Sequence, residues 1–194
     1  MGELRIAVFA SGGGTNLQAL IDATKSGGLD GRVSAVISNN SNSYALVRAA
    51  KENIPGYHIS GKTHPEQKEL IRRLLDVLEM NGVNLIVLAG YMKLLPVEII
   101  RKYRNRIINI HPALLPKYGG KGMYGINVHK AVLESKDRIS GATVHMVDEA
   151  YDHGAILIQR TVPVLPDDDP ETLAARVLEV EHRILPQAAG MFLC

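Results

Sequence analysis

Asn109-Ile110-His111 closes the apolar run Ile107-Ile108-Asn109-Ile110 and is followed by Pro112, so an amide and an imidazole stand two residues apart. On a strand that spacing points both side chains to one side. Pro112 keeps His111 extended and removes the next ladder donor. The strand is therefore expected to stop here, at a carboxyl edge of a sheet, where open α/β folds bind ligands. The plain alternative is a satisfied strand-end Asn beside a structural His. Asp152 lies in Asp148-Glu149-Ala150-Tyr151-Asp152-His153-Gly154, a turn between two strand-like segments. A carboxylate brought against His111 favours the charged imidazole and raises its pKa, giving an acid/base pair near neutral pH. Each of Asp148, Glu149 and Asp152, taken alone, equally fits a solvated turn.

A second chemical feature is Ser11-Gly12-Gly13-Gly14-Thr15-Asn16, between the apolar run Leu4 to Ala10 and Leu17, Leu20 and Ile21 at helical spacing. This reads strand, glycine turn, helix. Free backbone N–H groups and the positive end of the helix dipole converge there, which suits a phosphate. Asn16 and Leu17 fill the later positions of a GxGxxG fingerprint, and no Lys-Ser/Thr follows as in a Walker A loop. The pattern points to a single phosphate on a small ligand; a tight connection without a ligand is the alternative. His58, His64, His129, His145 and His182 are scattered without HxxxH or HxH pairing, so no metal is expected. The only cysteine is the terminal Cys194 and there is no GxSxG elbow, which argues against disulfides, thiolate sites and a covalent nucleophile.

The elements that must hold these groups alternate. Strands are expected at Leu4–Ala10, Val33–Ser38, Tyr57–Ile59, Asn84–Ala89 and Ile107–Ile110. Helices are expected after the glycine turn, at Tyr44–Glu52 after a polar turn with an N-cap signal, from Pro65 along Leu70, Leu74, Leu75 and Leu78, and after Pro96. Such alternation implies right-handed crossovers and a parallel sheet covered on both faces. Residues 117–126 are glycine-rich and Val128–Glu134 is helical. Thr143–Val147 and Ala155–Val164 then face each other as an antiparallel pair. The run Asp167-Asp168-Asp169-Pro170-Glu171 caps a last helix whose Leu173, Val177, Val180 and Ile184 turn inward. The expectation is one α/β domain over residues 1–194, a single doubly wound, mostly parallel sheet with an antiparallel strand pair near the C-terminus. Its 194 residues suffice for one substantial core. The formal net charge is +2 with signs intermixed, and Trp is absent, so neither a nucleic-acid groove nor a base-stacking surface is indicated. With no leader-like or bilayer-length apolar run, a cytoplasmic location is expected.

Three segments together resemble the phosphoribosylglycinamide formyltransferases, folate-dependent enzymes of one-carbon transfer in purine synthesis: Ser11 to Gln18, Asn109-Ile110-His111-Pro112-Ala113-Leu114-Leu115-Pro116, and Val144-His145-Met146-Val147-Asp148 through Asp152-His153-Gly154. Leu88 to Leu95 and the helix from Pro170 to His182 are similar too. The Asn-x-His-Pro motif with a downstream Asp marks the wider formyltransferase group, and the glycine loop marks this member. The resemblance implies formyl transfer from 10-formyltetrahydrofolate, a co-substrate, to the amine of phosphoribosylglycinamide, with no metal. It implies Asn109, His111 and Asp152 as the catalytic trio. Gly13, Gly14, Thr15 and Asn16 would hold the substrate phosphate, and Glu181 would meet the glycinamide end. Met92, Lys93, Leu94, Leu95 and Asn109, with the backbone of Asp148 to Asp152, would line the folate pocket. A departure lies at Gln67 and Lys68, where members often carry an Arg for the folate tail. The implied state is a monomer or homodimer without nucleic acid or membrane partners. A 10-formyltetrahydrofolate hydrolase is the rival enzyme, and a non-catalytic phosphate-binding module the rival class.

Overall fold

The computed structural model describes residues 3–149 and 154–193. In chain order its elements are β1 (Leu4–Phe9), α1 (Thr15–Lys25), β2 (Gly31–Ser38), α2 (Tyr44–Lys51), β3 (Gly56–His58), α3 (Gln67–Met80), β4 (Leu85–Leu88), α4 (Val97–Lys102), β5 (Ile107–His111), α5 (Ile126–Glu134), β6 (Ile139–Met146), β7 (Ile156–Pro163) and α6 (Pro170–Gly190). They form a seven-stranded sheet in the order β3-β2-β1-β4-β5-β6-β7. The first five strands run parallel, and β5-β6 and β6-β7 are antiparallel. The expected doubly wound, mostly parallel sheet with a closing antiparallel pair is the architecture found.

Side chains alternate across a strand, so a strand covered on both faces must be apolar at every position. β1 shows this directly: Ile6 and Val8 enter one core with Leu17, Leu20 and Ile21 of α1 and Leu173, Val177 and Ile184 of α6. Ala7 and Phe9 enter the other, with Leu74, Val77 and Leu78 of α3 and Ile99 of α4. In β5 the same alternation sends Ile108 and Ile110 to the α6 side and Ile107 to the α3 side. Asn109 and His111 share the parity of Ile107. They sit at the last rungs of the strand, where a continued apolar pattern would have given core residues.

Some local details depart from the sequence reading. Ser43 occupies the N-cap position of α2 but does not cap it; its hydroxyl donates to the Gly12 carbonyl, 2.9 Å away. Of the acidic run, Asp169 makes a capping box with Thr172, whereas Asp168 turns to Arg176 and accepts two hydrogen bonds of 2.6 and 2.8 Å. The antiparallel strand β6 begins at Ile139, four residues before the apolar signal at Thr143.

Candidate active site

The sheet order reverses direction between β1 and β4, since the chain builds β2 and β3 on one side of β1 before crossing to β4 on the other. Ligands of open α/β sheets bind in the crevice at such a switch point, outside the carboxyl ends of the strands. A cleft of about 870 Å³ opens there, in the size range of small-molecule sites. Its floor is the glycine turn, one wall is 88–95, another is the end of β5, and a third comes from 120–126 with α5 and α6. Bordering it are Gly13, Gly14, Thr15, Asn16 and Glu181 at one end, and Met92, Lys93, Leu94, Leu95, Asn109 and Asp148 at the other; of the expected 148–152 backbone, Glu149 does not border it and residues 150–152 lie outside the described residues. His111 lines it too. Gln67 and Lys68 do not; both are exposed at the start of α3. Asp152 lies outside the described residues.

The glycine turn is a donor site because of what it lacks. The N-cap of α1 is Gly14, in the left-handed region at φ 70°, and it offers no side-chain cap. The N–H groups of a first helical turn have no acceptor within the helix, so here they are left for a ligand. Burial of Leu17, Leu20 and Ile21, about 1.5–3 kcal/mol each, fixes the helix behind them. Gly14 is pressed on α2: a Cβ there would lie 2.8 Å from both Cα and Cβ of Ala45. The Arg48 Nε donates to the Gly13 carbonyl at 2.8 Å and holds the outer side of the turn.

Ser11 joins this turn to its neighbours. Its N–H donates to the Gly90 carbonyl at 3.1 Å, and its hydroxyl accepts from the Met92 N–H at 2.8 Å while donating to Asn39 Oδ1. Its carbonyl accepts from Asn40 Nδ2 at 3.2 Å. The loops after β1, β2 and β4 thus share one residue, itself buried.

At the deep end of the turn, Asn16 Nδ2 donates to Glu181 Oε2 at 2.5 Å, both side chains being buried. Asn16 Oδ1 has no partner. Burial pushes the Glu181 carboxyl above its ordinary range, with the Asn16 hydrogen bond opposing. The pair borders the cleft beside the glycine turn and keeps a spare acceptor in Asn16 Oδ1.

At the other end, His111 Nε2 donates to the Tyr118 carbonyl at 2.8 Å, so that nitrogen carries a proton in either charge state. Tyr118 turns its backbone with φ 59° and is anchored by its hydroxyl, which donates to Asp137 Oδ2 at 2.8 Å. Asn109 Nδ2 donates to His145 Nε2 at 3.1 Å, from the residue directly opposite in the β5-β6 register. His129 of α5 is also buried against the cleft; burial, with His111 nearby, pushes its imidazole pKa down, and its Nδ1 has no partner. His129 and His145 were not singled out in the sequence, because spacing along the chain says nothing about which strand or helix will lie opposite β5. Among the described residues, no group of three His, Cys, Asp or Glu is placed to hold a metal ion, and no helix is long and apolar enough to cross a membrane.

One cleft thus joins an uncapped helix N-terminus with the Asn16–Glu181 pair at one end to an amide and an imidazole at the other. The family model described as formyl transferase matches residues 4–189, and the chain belongs to that family. Within it, the chain is 44% identical over 187 residues to the chloroplastic phosphoribosylglycinamide formyltransferase of Arabidopsis thaliana; this covers 96% of the chain and 64% of the relative, so the chain spans under two thirds of that plant protein. It is 42% identical to the phosphoribosylglycinamide formyltransferase of Haemophilus influenzae, covering 97% of this chain and 86% of that one. Among solved structures, glycinamide ribonucleotide transformylase 1 from Symbiobacterium toebii superposes with a TM-score of 0.91 at 39% identity, over 98% of this chain and 87% of that one. A formyltetrahydrofolate deformylase from Pseudomonas syringae shares the fold at TM-score 0.86 but only 26% identity, covering 97% of this chain and 61% of that one.

Proposed function

We propose that this chain transfers the formyl group of 10-formyltetrahydrofolate to the amine of phosphoribosylglycinamide. The observation that carries the reading is the sharing of one cleft by an uncapped helix N-terminus, the Asn16–Glu181 pair and the Asn109/His111 strand end. The phosphate takes the amides of Gly13 to Asn16, and Asn16 Oδ1 with Glu181 takes donors on the body of the same substrate. The apolar wall of Met92, Leu94 and Leu95 takes the flat ring of the folate.

In the reaction the substrate amine attacks the formyl carbon and the formyl oxygen gains negative charge. Asn109 and protonated His111 donate to that oxygen, which is where donors lower a barrier most. As the tetrahedral intermediate collapses, the bond to the folate nitrogen breaks, and the proton lost by the attacking amine reaches that nitrogen. Asp152 is assigned to hold His111 charged or to place a water that relays this proton.

A hydrolase would use the same Asn, His and Asp to pass the formyl group to water. It would have no use for the amide cradle. The test is a formyl-transfer assay on purified protein with and without the phosphorylated amine. Formylated acceptor that forms only when the acceptor is supplied supports the transferase. Formate released at the same rate in its absence overturns it in favour of the hydrolase, and formation of neither product overturns it in favour of a binding module.

A further inference from the structure

We infer that His145 is a positioning residue of the reaction, setting which end of the Asn109 amide faces the formyl oxygen. The inference rests on the proposed transfer, because it assigns Asn109 as an oxyanion donor. His145 is buried, 2% exposed, and borders the cleft from β6. Its Nδ1 lies 2.8 Å from the Met146 carbonyl. A carbonyl can only accept, so Nδ1 carries a proton, and Nε2 is the ring nitrogen left to accept from the Asn109 amide. Only the NH2 end of the amide can meet that lone pair, and it does so at 3.1 Å. One amide proton is thereby committed to His145 and the second stays on the same nitrogen, available to an oxyanion.

The reverse arrangement shows what the contact prevents. Were the amide turned over, Asn109 would offer an acceptor where the developing negative charge needs a donor. Nothing else in β5 selects between the two orientations, since an amide's two ends have nearly the same shape. The antiparallel register supplies the selection by placing His145 directly across from Asn109. Donors preorganised toward developing charge are effective because they need no reorientation during the reaction, so a lost hold on Asn109 acts on turnover rather than on affinity.

The test combines kinetics with a measurement that needs no substrate. His145→Phe keeps a ring of similar bulk but no acceptor. Its kcat is expected to fall by at least about tenfold, with the loss of Asn109 itself, on the order of a hundredfold to a thousandfold, as the ceiling. KM should stay within roughly threefold. His145→Gln, which carries an amide oxygen near where Nε2 stood, should recover most of the loss. In an Asn109→Ala background, His145→Phe should cost almost nothing further, because residues acting through one another are not additive. Full additivity, or a kcat unchanged by His145→Phe, overturns the inference. So does 15N NMR of the ligand-free parent finding the proton on Nε2 of neutral His145 instead of Nδ1. If the parent transfers no formyl group, the proposed activity falls by itself, and the NMR result still decides the His145–Asn109 arrangement.

Discussion

Replacement of Gly14 by Ala tests the construction of the anion cradle. Two separate terms oppose the new methyl group. Gly14 holds φ 70°, and a non-glycine residue in that region costs roughly 1–2 kcal/mol. The new Cβ would also lie 2.8 Å from Cα and Cβ of Ala45, the start of α2, where backbone must move to relieve the contact. Overpacking of that kind costs about 1–3 kcal/mol. A total near 3 kcal/mol corresponds to a drop in Tm of roughly 6–12 °C for a chain of this size. The same displacement moves the N–H groups of the first turn of α1, so KM for the phosphorylated substrate should rise well beyond tenfold. The control lies two residues away. A Cβ at Gly12 meets nothing within 4 Å, and φ there is not positive, so Gly12→Ala should stay within about 0.5 kcal/mol of the parent. Thermal unfolding of the three proteins in parallel, followed by substrate kinetics, decides the matter. If Gly14→Ala melts within roughly 2 °C of the parent, a loss of no more than about 1 kcal/mol, or Gly12→Ala falls equally far, then neither φ nor packing at Gly14 matters as described.

Asn109→Ala and His111→Ala should each lower kcat on the order of a hundredfold to a thousandfold in a formyl-transfer assay with KM largely kept; turnover within about tenfold of the parent would refute their assignment. Glu181→Gln should raise Tm at pH 7 by roughly 2–4 °C while weakening substrate binding, because the buried carboxylate is held above its ordinary value of 4.5. With a raised acid pKa the folded state retains the proton longer than the unfolded chain, so stability of the parent falls as pH climbs through that window. The advantage of the Gln variant should therefore vanish below about pH 4 in melts across pH. Asp168→Asn carries the opposite sign. The two hydrogen bonds from Arg176 hold the Asp168 carboxyl well below the usual carboxylate range, and its side chain is 3% exposed. The stability it contributes, about 1.5–3 kcal/mol, is present above its ordinary value of 3.8 and is lost as the solution is acidified. The variant should thus melt lower than the parent at pH 7 and converge with it toward strongly acid pH.

The inner parallel strands were readable because nearly all their residues are buried on both faces and so appear as mostly apolar runs between Gly, Pro and polar turns, whereas the edge strand β3 shows only Tyr57-His58 after a glycine. The same contrast made Asn109 and His111 conspicuous: polar groups stood where the pattern demanded core. The start of β6 was hidden for the opposite reason. Ser140 and Gly141 interrupt the pattern, and Gly141 is there because β7 passes so near that a Cβ would lie 2.0 Å from the Arg160 carbonyl oxygen. The partners of the two site residues were hidden as well. His145 meets Asn109 only through the register of an antiparallel pair, and Tyr118 meets His111 only because its backbone turns left-handed and aims a carbonyl inward. Neither relation leaves a periodic trace along the chain. Ser43 shows a local signal overruled by tertiary contact, since its hydroxyl found the Gly12 carbonyl before its own helix.

The fourfold hydrogen bonding of Ser11 has a consequence for anyone who would re-engineer this scaffold. The segment Ala89 to Leu95, which under the proposed function faces the folate ring, is the natural place to graft a different specificity, yet it is not a detachable module. A replacement must bring an N–H to the Ser11 hydroxyl where Met92 now supplies one, and a carbonyl to its amide where Gly90 stands. A graft chosen for its side chains alone would shift the anion cradle as well, and one grip could not be altered without loosening the other.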